Sequence, residues 1–440
     1  MKLPKAGWLS IVPNKNTLEF VPLRRYPKKQ FPGMVSAIIG RHTKAKIRFN
    51  PHGRPSQSHH TPARLRHLSR KNHYQAGPFV AILTSNNKKP FGGNHQNFAD
   101  LIRTGREMGV TVFVLTPQGI GNHSTVNGYL LDPHSVKPRW KAARLPFPNV
   151  VYNRIPNRMI EKTPEVRQTI RQLQQMPGVY LFNPGFFDKW TLYQQLAASP
   201  DLHRLLPETV RLHHMEQLES MAAKHPVLYF KPVEGKAGIK MMRLDKKKQH
   251  YELSYQTTRE KKKYRVRTLK EVWDLYNRLK QKTAYILQQG IPLATFHGHP
   301  FDIRILLQKN GTGRWGLSGM GVRVAGERAI STHVPMGGHI EKIDTVLQSV
   351  FGSETDRIKE RIEQVGIRTA RWIENQQNAL LGEMSMDLGI EKDGSLWIFE
   401  ANSKPMKFDE PNIRRRSLRR LIEYSLYLSG FSHTSEGTAT

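Results

Sequence analysis

A chain of 440 residues has room for two to four domains of roughly 150 residues each, and 38% hydrophobic residues exclude a disordered chain. The absence of cysteine excludes disulfides, thiolate catalysis and cysteine-based metal sites. Sixty-nine basic residues against 35 acidic ones leave a net charge of +34, which predicts contact with polyanions. No zinc-finger spacing or RNP-type motif accompanies that charge, so specific nucleic-acid binding is not expected.

Residues 1–75 carry 16 Lys and Arg, six His and a single acid, Glu19. Short apolar stretches (GWLSIV, LEFVPL, VSAIIG, AKIRF) between Pro, Gly and basic turns predict a small β-rich unit, with residues 50–67 as a polar linker. With no constellation of catalytic residues, this unit is expected to dock on an anionic surface or polymer. Residues 76–185 predict an α/β layer: PFVAILTS, the helix FADLIRTGREMG, then VTVFVLTP and VVYNRIP give strand, helix and strand at parallel spacing. Residues 186–425 read as two α+β lobes, with HPVLYFKPV, GIKMMRL and YELSYQ as antiparallel strands. Residues 426–440 hold the end of a closing helix and a polar tail expected to be flexible. The longest apolar runs, such as Val110–Leu115, fall far short of the about 20 residues a membrane span needs. Nor do the first residues hold an apolar core of signal-peptide length, so synthesis in the cytoplasm is expected.

Chemistry concentrates toward the C-terminal end. In LWIFEAN, Glu400 and Asn402 share one face of a strand, and the preceding strand GEMSMDLGI turns back to set Asp387 beside them. Two carboxylates and an amide oxygen suit magnesium, or else cap a turn. Asp302 and Arg304 lie on one face of the apolar strand FDIRILLQK, either as a structural pair or as a phosphoryl-binding arginine beside an acid. Lys231 precedes a turn containing Gly235 and Gly238, where backbone N–H groups can meet phosphates. GTGRWG, Gly311 to Gly316, matches the dinucleotide fingerprint but no helix follows it, so it is expected to be a hairpin turn. His297 and His299 are expected in a solvated turn.

The order of these pieces resembles the ATP-grasp superfamily of carboxylate-amine ligases. More closely it is similar to the YheC/YheD family, endospore coat-associated proteins of spore-forming bacteria. The matching segments are FGGNHQNFADLI, VVYNRIPNR, FNPGFFDKWTLYQQL, LPET, YFKPVEGKAGIK, YILQQGIPL, FDIRILLQKNGTGRWG and the C-terminal strand pair, across residues 77–425. The resemblance implies an ATP-grasp fold behind a pre-ATP-grasp βαβ layer, with ATP and two Mg2+ ions as cofactors. By motif, Lys189 and Lys231 would hold the ATP phosphates. Gln288, Gln289, Gly290 and Ile291 would form the hinge against adenine, reading it mostly by backbone. Arg304 would steady the transferred phosphoryl group, and Asp387, Glu400 and Asn402 would bind the metal, Glu400 bridging two ions. The activity implied is an ADP-forming ligase that joins a carboxylate to an amine through an acyl phosphate, on a small-molecule, peptide or cell-envelope substrate, with spore-coat association. The alternatives are a structural coat protein on the same fold, or a kinase of a hydroxyl substrate.

Overall fold

A computed structural model of the chain describes residues 5–10, 17–23, 33–55, 60–68, 73–86, 90–121, 124–133, 135, 137–235, 238–257, 261–280, 283–327, 330, 332 and 337–432. Alternating apolar residues curl the first six strands around their own side chains. β1 (Ala6–Ser10), β2 (Thr17–Pro22), β3 (Met34–Ile39), β4 (Thr43–Phe49), β5 (His60–Leu68) and β6 (His73–Gly77) close a barrel in the order β1-β2-β4-β3-β6-β5. β4 shows the pattern: Ile47 and Phe49 point inward, while Lys44, Lys46 and Arg48 are exposed. Residues 50–67, expected as a linker, are corrected here. His60–Leu68 is a nine-residue strand paired with both β1 and β6. Pro62 and the alternate arginines Arg64 and Arg66 had hidden its period.

The barrel is not a detachable module. Leu9, Phe20, Ile39 and Ile47 share one hydrophobic cluster with Phe79, Phe113 and Val151 of the next layer. That layer comprises β7 (Phe79–Leu83), α1 (His95–Glu107), β8 (Thr111–Leu115), β9 (Thr125–Leu131), β10 (Trp140–Pro146), β11 (Val150–Asn153), α2 (Arg158–Glu161), α3 (Pro164–Gln175) and β12 (Tyr180–Phe182). Its sheet runs β10-β9-β8-β7-β11-β12, parallel from β8 through β12 as the spacing predicts. The antiparallel β9–β10 edge hairpin was not anticipated, because polar residues such as Asn127 and Lys141 interrupt its pattern.

After α4 (Lys189–Ala197) come β13 (Thr209–Leu212), α5 (Met215–Lys224), β14 (Val227–Pro232), β15 (Met241–Lys246), β16 (Tyr251–Gln256), β17 (Lys261–Val266), α6 (Leu269–Lys280) and β18 (Tyr285–Gln289). They build a sheet in the order β13-β18-β14-β15-β16-β17, with Leu218 of α5 and Tyr276 of α6 in its core. The last sheet takes β19 (Thr295–Phe296), β20 (His299–Lys309), β21 (Trp315–Val324), β22 (His339–Glu341), β23 (Glu383–Ile390) and β24 (Leu396–Asn402), with α7 (Ile343–Phe351) and α8 (Thr355–Gln377) inserted before β23. Its order is β22-β21-β20-β23-β24, with β19 paired to β20. GTGRWG turns β20 into β21, and Gly313 has the left-handed φ of +74° that such a turn favours glycine for. His297 and Gly298 make the tight turn between β19 and β20.

α9 (Pro411–Leu428) closes the chain, and it packs back on α1. Its Leu418, Leu421 and Ile422 join the cluster of Val80, Ile82 and Leu101, so the closing helix shares its core with the middle layer. No helix among the described residues is long and apolar enough to cross a membrane. Residues 433–440, expected as a flexible tail, lie outside the described residues.

Phe431, just beyond α9, fastens the barrel to this core. Its ring is fully buried with the Arg66 guanidinium 4.7 Å above it, and Arg66 donates to the Gly430 carbonyl at 2.6 Å. Phe431→Ala is expected to cost about 3–5 kcal/mol, as aromatic truncation in a core does. Chemical denaturation followed by circular dichroism measures it, and an unchanged midpoint would show that the barrel is not held there.

Candidate active site at the junction of two sheets

Antiparallel register brings the candidate residues together. Arg304 on β20 lies opposite Asp387 on β23, and Asp387 lies opposite Glu400 on β24. Residues directly opposite share a sheet face, so the three side chains form a row across three strands. Asn402 follows Glu400 by two residues, opposite Ser385, on the same face. A bulge at Asp387/Leu388 sets this register, since Leu388 pairs with Ile398 and Phe399 is the extra residue. Without it Glu400 would miss Asp387.

Asp302 stands on the same face two residues from Arg304, yet its cation is a different residue. Arg323 of β21 grips Asp302 with both ends, Nε to Oδ1 at 2.8 Å and a terminal nitrogen to Oδ2 at 2.6 Å. Thr332 Oγ1 donates to the same Oδ2 at 2.6 Å. Arg323 also reaches Asp387 Oδ2 at 3.0 Å, and all three side chains are buried. Burial works against the Arg323 charge, but Asp387 and Asp302 together hold the guanidinium well above its ordinary pKa. The Asp302–Arg304 pair considered from sequence is therefore corrected to Asp302–Arg323. The signal for Arg323 was available: one arginine in the otherwise uncharged WGLSGMGVRV strand. Arg304 makes no ion pair among the described residues. It donates to Ser385 Oγ at 3.4 Å and lies 5.8 Å from the Phe408 ring centre.

Two lysines arrive from outside the sheet. Lys189 is the first residue of α4, whose N-terminus is capped by Asp188 accepting the Thr191 N–H at 2.9 Å. Its ammonium sits on Glu400 Oε2. Lys231 comes from β14 of the neighbouring sheet, donates to Gln288 Oε1, and lies 5.4 Å from the ring centre of Phe399. Burial, then the nearby Lys189, push its pKa down to about 8 against the pull of Glu400, Asp387 and Asp302. Of the turn after β14, Lys236 and Ala237 lie outside the described residues.

In the segment expected as the hinge, Gln288 is buried and accepts from Lys231 while donating to Thr209 Oγ1 at 3.0 Å. The Gln289 and Gly290 N–H groups donate to Glu208 and Val227 carbonyls at 2.8 Å each. A Cβ on Gly290 would meet Val227 atoms at 2.6–2.9 Å, so only glycine lets the chain pass. The Ile291 N–H has no acceptor among the described residues.

Oxygen donors from Asp387, Glu400 and Asn402 on adjacent strands are the hard set that magnesium takes, and the Lys189 ammonium on Glu400 already stands in a cation's place. Among the described residues no three His, Asp or Glu side chains converge as a metal group, and here two carboxylates stand with one amide. The donor set fits the ion.

A model of the family described as YheC/D like ATP-grasp matches residues 178–428. The chain is 27% identical over 374 residues to the endospore coat-associated protein YheD of Bacillus subtilis, covering 82% of this chain and 80% of that one. It is 22% identical over 309 residues to YheC of the same organism, covering 70% and 84%. Among solved structures, D-alanyl-alanine synthetase A from Vibrio cholerae superposes with a TM-score of 0.47 at 10% identity, over 82% of this chain and 99% of that one.

Lys231 offers a direct check on the site's electrostatics. In lysine NMR titrations it is expected to lose its proton near pH 8, against 10.5 for an ordinary lysine. Lys189→Met removes a like charge and should raise that value, whereas Glu400→Gln removes an attractive one and should lower it further. A wild-type Lys231 titrating at the ordinary value would dissolve the proposed convergence.

Proposed function

The chain belongs to the YheC/D-like ATP-grasp family, and from that membership we propose that it is an ATP- and magnesium-dependent ligase joining a carboxylate to an amine with release of ADP. The observation that carries this is the row Arg304–Asp387–Glu400 across three strands, met by Lys189 and Lys231 from two other elements. Asp387, Glu400 and Asn402 would hold the magnesium. When bound, the metal neutralises charge that develops on the transferred phosphoryl group.

The chain's own residues then divide the work. Ile291 N–H meets the adenine at the hinge. Lys231, charged below about pH 8, faces the phosphates. Lys189, whose ammonium sits on Glu400, would face the ATP phosphates beside the residues that would hold the metal. Arg304, without an acid of its own among the described residues, is left for the phosphoryl oxygens, to which it presents a planar pair of donors. A substrate carboxylate oxygen attacks the γ-phosphorus and the bond to the β-phosphate oxygen breaks, giving an acyl phosphate and ADP. An amine then attacks the acyl carbon, the C–O bond to phosphate breaks, and the amine's proton is lost to solvent. Position and electrostatics supply the catalysis.

Glu400→Ala is expected to abolish magnesium-dependent ATP binding in calorimetry. Arg304→Lys should keep binding but lose about 100-fold in ADP release with a substrate screen of amino acids, short peptides and cell-wall fragments. Hydroxylamine should trap an acyl hydroxamate. ADP release with no trapped product would instead support the hydroxyl kinase, and intact Mg-ATP binding by Glu400→Ala would remove the assigned site.

The names of the curated relatives and the barrel's charge support a second element, association with the endospore coat after synthesis in the cytoplasm. Lys44, Lys46 and Arg48 form an exposed row on β4 at alternate residues, about 6.6 Å apart, and none makes an ion pair among the described residues. Such a row suits an anionic polymer with closely spaced fixed charges. The triple charge reversal K44E/K46E/R48E should elute from an anionic resin at markedly lower salt than wild type, because exposed charges act over only about 8 Å at physiological ionic strength. Identical elution would sink the docking surface.

A further inference from the structure

Two sequence segments, VVYNRIPNR and FNPGFF, lie outside the row of site residues yet meet beside it. Residues 183–188 lead into Lys189, and residues 403–405 lead out of Asn402. Side chains fasten the first of these loops at nearly every step. Asn183 donates from Nδ2 to the Glu383 carbonyl at 2.8 Å and to the Ser403 carbonyl, and accepts the Gly382 N–H at 2.8 Å. Asn153 Nδ2 donates to the Pro184 carbonyl at 2.8 Å, and Ser403 Oγ to the Gly185 carbonyl at 2.7 Å. The Phe186 N–H donates to Glu161 Oε1 at 2.8 Å, and Arg158 donates to the Phe187 carbonyl at 2.6 Å.

At the centre of this bracing is a charged pair far apart in sequence. The Lys404 ammonium sits on Glu161 Oε2, with the lysine side chain 3% exposed and the glutamate 15%. Lys404 and Arg158 both lie over the Phe186 ring, at 4.4 and 5.3 Å from its centre. A buried ion pair gives little net stability over an apolar pair of the same volume. What it gives here is geometry, because one carboxylate spans the ammonium that follows the Glu400–Asn402 strand and the peptide N–H that precedes Lys189.

We propose that Glu161, Lys404 and Arg158 are positioning residues for the nucleotide site. Through loop 183–188 they set Lys189 against Glu400, so the four-residue helix α2 of the middle layer governs a site built on other elements. This rests on the Mg-ATP reading above. A misplacement of about 1 Å in such a constellation can cost about 100-fold.

The test is Mg-ATP calorimetry on the full chain, at a temperature where circular dichroism shows each variant folded. Glu161→Gln and Lys404→Met are each expected to weaken binding about tenfold or more, and the double variant no further than the worse single, because the two act as one unit. Lys404→Arg, which keeps the charge, should return affinity to within about threefold of wild type. Should Lys404→Met fail to fold, Glu161→Gln, which keeps the shape and removes the charge, and Arg158→Lys, which keeps the charge and removes the planar fork, carry the same expectation. Lowered melting temperatures with wild-type affinity in these variants would overturn the proposal and leave the pair a purely structural one. Absence of Mg-ATP binding by the wild type would overturn the nucleotide reading itself, and this inference with it.

Discussion

Asp302, Asp387 and Glu400 face one side of one sheet, and carboxylates so arranged cannot leave water without cations between them. Each buried ion forfeits several kcal/mol of hydration, and neighbouring like charges add to that. Arg323 offsets the first two by standing between Asp302 and Asp387, and Lys189 offsets the third. The two cations differ in kind. Arg323 comes from a strand of the same sheet and is locked by two carboxylates, so it belongs to the scaffold. Lys189 comes from a helix outside the sheet and makes one ion pair among the described residues, which is the looser hold that the proposed metal site requires.

That difference ties the site to the whole molecule. Lys189 is where it is because a braced loop delivers α4, and the brace reaches into the middle layer through Asn153, Arg158 and Glu161. The middle layer is bound to the last sheet at a second buried junction. There Tyr152 Oη donates to Glu383, Arg154 pairs with the same carboxylate at 3.3 Å, and Gln308 Nε2 donates to its other oxygen at 3.1 Å. Burial raises the Glu383 pKa while Arg154, Tyr152 and Gln308 pull it down, so the carboxylate depends on the layer packed over it. Glu383 and Asp387 lie on one strand four residues apart, hence on one face. The strand that supplies a candidate metal donor is thereby held at its first residue and again at its middle by charges from elsewhere in the chain.

Much of this was legible in the sequence, and what was not failed for identifiable reasons. Period-two alternation and the Lys-Asp-Gly turn suffice to set Asp387 beside Glu400. Parallel βαβ spacing suffices for the middle layer. Arg323 is hard to pick from the sequence because Asp302 and Arg304 stand only two residues apart, yet side chains two apart on a strand lie more than about 6 Å from each other and the cross-strand partner Arg323 is closer. Lys404 reads as a loop lysine, since its partner Glu161 is 243 residues away and no local pattern records such a contact. β5 was hidden by Pro62 and by arginines at strand spacing. The barrel seemed separable because its charge differs from that of the rest, yet charge is a property of its outer face, while its core continues into Phe79 and Phe113.

Net charge itself is the quantity the sequence most overstates. The surplus of +34 suggests a surface of idle cations, but many of the arginines are occupied by backbone carbonyls. Arg41 donates to Pro177, Arg64 to Met108, Arg66 to Gly430, Arg154 to Pro405, Arg158 to Phe187, Arg416 to Ser318 and Arg420 to Gly316. A guanidinium is suited to this, having five donors, a permanent charge and weaker hydration than an ammonium, so it can satisfy loop and helix-end carbonyls without an acid nearby. Such contacts keep the formal charge in the count while removing the side chain from the pool that meets a polyanion freely. The cations left to act outward are those, like Lys44, Lys46 and Arg48, whose strand faces solvent. Lys231 and Arg304 are turned inward instead, Lys231 toward Phe399 and Arg304 across from Asp387.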